Sequence, residues 1–119
     1  MDDMENIDKA CEKLVNDTFN SIISLLVCLD FSLRDIDLIS KGLLVKCKIK
    51  TDDTGQEAYN KNFDEVLNNI LKKYKDRDKE SIDFLKNMID TTYYASQKDL
   101  YNTLRLMKEA NEKFGEFTE

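Results

Sequence analysis

From Ile7 to Leu26 the apolar residues return at every third or fourth position: Ile7, Cys11, Leu14 and Val15, Thr18 and Phe19, Ile22, Leu25 and Leu26. That spacing draws one stripe along a helix. Asp2, Asp3, Glu5 and Asp8 crowd its start, where the positive end of the helix dipole favours them. Between Ser21 and Leu29 the apolar positions spread around the axis, which predicts a buried end. A second helix is predicted from Thr54, whose pairing with Glu57 has the form of a capping box. Its face reads Tyr59, Phe63, Val66 and Leu67, Ile70 and Leu71, Tyr74. In the last third, Ile82, Leu85, Met88 and Ile89, Thr92 and Tyr93, Ser96, Leu100, Leu104, Met107, Asn111 and Phe114 keep helical spacing. The unbroken period predicts one long helix, bent near residues 91–97 and stopping about Gly115. Ser96 with Asp99 offers a fresh cap, so residues 79–115 stay open between one helix and two.

The stretch from Asp30 to Thr51 reads both ways. Ser32 with Asp35 resembles a weak capping box for a short helix. Yet Asp35-Ile36-Asp37-Leu38 alternates, and so does Val45-Lys46-Cys47-Lys48-Ile49-Lys50. A period of two signals a half-buried strand. Ser40-Lys41-Gly42 is then a hairpin turn, or Gly42 closes a helix that is followed by a strand. Residues 43–50 are expected to be extended.

Composition settles the class. The 119 residues include no proline and only three glycines, whereas β-sandwiches and barrels need both in their turns. The chain is 41% hydrophobic and 35% charged, the balance of amphipathic helices with charged outer faces rather than of disorder. The expected fold is mainly α: a three- to four-helix bundle, with a short β-hairpin or strand within residues 34–50, forming a single helical domain over residues 1–119.

The same composition removes most chemistry. Histidine is absent, and with it the usual nucleophile–base pairs and zinc-hydrolase ligands. Cys11, Cys28 and Cys47 form no CxxC; each lies among apolar residues and reads as a small buried hydrophobe in a reducing compartment. Asp76-Arg77-Asp78-Lys79-Glu80 resembles half a calcium loop, but Ser81 and Asn87 replace the glycine and glutamate that the loop requires. It reads instead as a helix-to-helix turn. Isolated glycines make no phosphate-binding loop. No cofactor or metal is expected, and no enzyme. The acidic N-terminus does not resemble a signal peptide, and the apolar run from Ile22 to Leu29 is too short to span a bilayer. The expected location is the cytoplasm or nucleus, with no membrane partner.

Two features are candidate contact surfaces. The first is the row Lys46, Lys48 and Lys50, with Lys41 nearby, on a chain of net charge −6. On an edge strand it would discourage pairing; as a ridge it would meet an acidic partner or a nucleic-acid backbone. The second is aromatic: Tyr93 and Tyr94 with Tyr101, Phe114 and Phe117. Adjacent tyrosines on a helix point about 100° apart, so one is expected in the core and the other as an exposed anchor. The sequence therefore points to a non-catalytic protein–protein interaction module (an adaptor, a complex subunit or a small acidic inhibitor of the immunity type), bound to a protein partner or to itself. The alternative is a nucleic-acid-associated regulator using the lysines of residues 41–50.

Overall fold

A computed structural model describes residues 2–48 and 62–115. The chain is mainly helical, with five helices in the described residues: α1 (Asp2–Cys28), α2 (Leu33–Lys46), α3 (Phe63–Lys73), α4 (Lys79–Ser96) and α5 (Leu100–Phe114). It divides into two compact units, one made of residues 1–22 with 83–119 and the other of residues 23–82.

With almost no glycine available, the chain stops its helices on ordinary residues. At the end of α1, Asp30 takes a φ of 62°. The Asp30 N–H donates to the Val27 carbonyl at 3.0 Å and the Phe31 N–H to that of Leu26 at 3.1 Å. This pair of bonds defines a Schellman stop. At the end of α4 the same motif recurs with Lys98 at φ 60°: Lys98 donates to Ala95 and Asp99 to Tyr94, each at 3.0 Å. Lys48, at φ 63°, donates to Val45 at 2.9 Å after α2. Three helix starts, those of α2, α4 and α5, are capped by side chains, whereas Asn62 before α3 makes no such bond. Ser32 accepts from the Asp35 N–H, Asp78 from the N–H and hydroxyl of Ser81, and Asp99 from the Asn102 N–H.

Two expectations are corrected. Residues 33–46 form one helix, so the alternation read as a hairpin or strand within residues 34–50 makes none in the described part, where no strand occurs. Gly42 is not a terminator but a buried residue inside α2. Alternation over six residues was outweighed by a Ser32 cap, an Asp37–Lys41 pair at 3.0 Å one turn apart and the burial of Ile39 and Leu43, both 0% exposed. Residues 79–115 form two helices rather than one bent helix, because the Lys98 stop and the Asp99 cap fall inside an unbroken spacing. The capping box at Thr54, with Lys50 and Phe117, lies outside the described residues. The turn expected at residues 76–80 falls at residues 74–78, and Lys79 and Glu80 already belong to α4.

In the unit of residues 1–22 and 83–119, α1 and α4 meet through the hydroxyls of Thr18 and Thr92, 2.6 Å apart. Each also lies 2.8 Å from a carbonyl one turn back, Leu14 or Met88. A hydroxyl has one proton, so one donates across the pair while the other donates to its own helix. Phe84 packs against Phe114 with ring centroids 5.5 Å apart. The Asn87 side-chain amide donates to the Leu106 carbonyl at 3.2 Å, and Asp8 pairs with Lys98 at 3.1 Å. In the unit of residues 23–82, α2 packs against α3, burying Ile39, Leu43, Phe63, Leu67, Ile70 and Leu71.

A left-handed conformation costs a non-glycine residue about 1–2 kcal/mol, part of which a glycine returns as chain entropy. Lys98→Gly should therefore raise stability in urea unfolding by up to about 1 kcal/mol, and Asp30→Gly by less, since aspartate tolerates this region better. Lys98→Val should lower it.

Candidate functional site

The one buried charged side chain among the described residues is Asp35, in the first turn of α2 and 3% exposed. One carboxylate oxygen accepts from Lys73 Nζ at 2.9 Å and the other from the Tyr74 hydroxyl at 2.7 Å. The Tyr74 oxygen in turn accepts from the Ser32 N–H at 2.9 Å, and the Ser32 hydroxyl from the Asp35 N–H at 3.2 Å. The ring of Tyr74 stacks on Phe31, with centroids 3.7 Å apart and planes 8° from parallel. The Arg77 guanidinium lies 5.5 Å from the same ring, and its Nε donates to the Leu29 carbonyl at 2.7 Å. Burial alone would raise the Asp35 pKa. The hydrogen bonds from Tyr74, Lys73 and Ser32, and the charge of Lys73, outweigh it and hold the carboxyl below its ordinary range.

This constellation clamps the start of α2 to the end of α3. Each Asp35 carboxylate oxygen has an internal donor, and no buried side-chain polar atom in the described residues lacks a partner. No group of three metal-ligating side chains occurs among the described residues. Of the three cysteines, Cys11 and Cys47 are buried as expected, but Cys28 is exposed. Among the described residues no helix is long and apolar enough to cross a membrane.

Of the lysine row, Lys41, Lys46 and Lys48 fall within the described residues and Lys50 does not. Lys46 ends α2, pairs with Asp64 at 3.1 Å and covers the Phe63 ring at 5.8 Å. Lys41 pairs with Asp37 a turn earlier. Lys48 is exposed beyond the helix. Tyr93 and Tyr94 are both half-buried and meet edge to face at 5.5 Å, so neither is the exposed anchor expected of the pair. Phe114 is core, at 4% exposure.

Besides Ile7, Val27 and Leu33, the large apolar residues left exposed in the described part lie on α5. Its inward face is Thr103, Leu106, Ala110 and Phe114. Leu100, Tyr101, Leu104 and Met107 remain 38%, 77%, 59% and 38% exposed. Four large apolar residues within eight positions make a continuous strip about 100° from the buried one. In the sequence Leu100, Leu104 and Met107 share one helical stripe with Phe114. Their spacing was the right signal, but Thr103 and Ala110, being small, supply the closer-packing side.

The clamp predicts an acid dependence. A carboxyl whose folded pKa lies below its unfolded value contributes stability that is complete above about pH 4, the unfolded value. It is lost as pH falls from there through the folded value. Asp35→Asn should lower stability at pH 7 and flatten the loss below pH 4 in urea titrations. Tyr74→Phe, which strands a buried carboxylate oxygen and the Ser32 N–H, should cost about 1–3 kcal/mol.

No protein-family model matches the chain, and comparisons with curated proteins and with solved structures find no match either.

Proposed function

We propose that this chain works as a single non-catalytic protein–protein interaction domain, with the outer face of α5 as its contact surface. The observation that carries this reading is the row of Leu100, Tyr101, Leu104 and Met107 left exposed on a helix whose other apolar face is already used. Isolated exposed hydrophobes need no explanation, whereas contiguous ones mark contact sites. Tyrosine at 77% exposure is the residue type enriched at binding hot spots. The net charge of −6 suits an adaptor, a complex subunit or an acidic antagonist alike, and it acts through solubility and steering rather than contact.

Leu104→Asn and Met107→Asn change exposed positions and should shift stability by less than about 0.5 kcal/mol each. Together they should abolish affinity capture of partner protein from native lysate, whereas Lys48→Glu should leave capture intact. Capture unchanged by the double substitution, or lost with Lys48→Glu alone, would contradict the assignment.

A further inference from the structure

The buried stripes of α4 and α5 are in phase with each other, although the chain turns back between them. On α4, Leu85, Met88 and Thr92 are buried, and on α5 so are Thr103, Leu106 and Ala110. Thr92 and Thr103 stand eleven residues apart, which is three turns of an α-helix. A single straight helix through both segments would therefore carry all six residues on one face. A helical hairpin does not require this agreement of phase, whereas a continuous helix does.

Little in the joint opposes that helix. Only Gln97, Lys98 and Asp99 separate α4 from α5, and glutamine and lysine are good helix formers. Lys98 is held at φ 60°, a left-handed conformation that a non-glycine residue gains by leaving. Straightening gives the N–H groups of residues 98–102 ordinary partners four residues back, in place of the present stop and cap. What is lost is the packing of α5 on α4, where Phe84 meets Phe114 and the Asn87 amide meets the Leu106 carbonyl. The midpoints of those two pairs fall at residue 99 and between residues 96 and 97, so the hairpin is centred on the Lys98 joint. An antiparallel second copy, with a two-fold axis at the joint, remakes both pairs between chains.

We propose that α5 exchanges between copies: the Lys98 joint straightens, α4 and α5 fuse into one helix, and each α5 packs on the α4 of a second chain. Short hinges under strain are where such exchange begins. The exchange goes beyond the contact surface assigned to α5, because it uses the buried face of that helix. Each dimer relieves two left-handed lysines, and each chain keeps its own Thr18–Thr92 contact. Two features hold the closed form. Lys98 pairs with Asp8 on α1, both about half exposed, which makes this a weak restraint. Asp99 falls on the inward stripe, one turn before Thr103, and at the axis it would meet a second carboxylate. The closed monomer therefore prevails in dilute solution and the exchanged dimer at high concentration.

Refolding the full chain from urea at micromolar to millimolar concentration, followed by size exclusion with light scattering, tests this. The expected result is a dimer whose fraction rises with concentration and which returns to monomer slowly on dilution, because α5 has to leave its groove. Lys98→Gly, which removes the strain, should lower the dimer fraction severalfold. Asp99→Ala, which removes both the cap and the repulsion, should raise it severalfold. Spin labels at Lys86→Cys and Lys108→Cys in a Cys28→Ser chain, diluted into unlabelled protein, read the separation within one chain. Both sites are exposed and within two residues of the Asn87–Leu106 contact, so in the hairpin they are close. In a fused helix they stand about 33 Å apart along the axis, at about 1.5 Å per residue, and the dimer is expected to show this longer distance. A dimer that keeps the short distance, or one indifferent to Lys98→Gly, would overturn the proposal. So would a chain that refolds only to monomer even with Asp99→Ala. A dimer abolished by Met107→Asn would be a pairing of exposed faces and would overturn it too, while leaving the contact surface on α5 in place.

Discussion

A chain without proline and with three glycines has to end its helices by other means, and here it does so on Asp30, Lys48 and Lys98 in left-handed backbone. Each of these residues accepts a steric cost that glycine would avoid. In return the last carbonyls of the preceding helix are satisfied, and the chain leaves the helix in a fixed direction. The consequences run outward from these stops. The one at Asp30 carries Phe31 into the core and leaves Ser32 placed to cap α2. Ser32 then brings Asp35 into the first turn, where its carboxylate has to be satisfied out of water.

Tyr74 and Lys73, at the end of α3, meet that demand. The hydroxyl of Tyr74 serves Asp35 and Ser32 at once, and its ring stacks on Phe31. Charged hydrogen bonds of this kind are stronger than neutral ones, but their larger effect is on specificity, since a misregistered α2 or α3 would strand the carboxylate. Lys73 remains 58% exposed, so solvent shares its charge and the tyrosine carries more of the restraint. Arg77 closes the group by reaching back to the Leu29 carbonyl at the start of the same turn.

Much of this was legible in the sequence and some was not, for identifiable reasons. The helical class followed from the missing prolines, α1 from its stripe, and the Ser32 cap from its spacing to Asp35. The stop at Lys98 was illegible because lysine carries no mark of left-handed backbone and the apolar period runs on through it. The helix over residues 33–46 was obscured because Val45-Lys46-Cys47-Lys48 alternates by chance at a helix end. On α5 two apolar stripes compete. Size favours Leu100, Leu104 and Met107 for the core, whereas close packing favours Thr103, Leu106 and Ala110. Only the fold decides between them, and that decision moves the candidate surface from the lysines of residues 41–50 to the C-terminal helix.

The central claim is therefore which stripe of α5 faces water, and methyl-resolved NMR of the dilute chain with a soluble paramagnetic relaxation agent reads it directly. Strong attenuation of the Leu104 and Met107 methyl signals is expected, with those of Leu106 and Ala110 protected to the level of Leu85. Protection of Leu104 and Met107 with attenuation of Leu106 and Ala110 would contradict it.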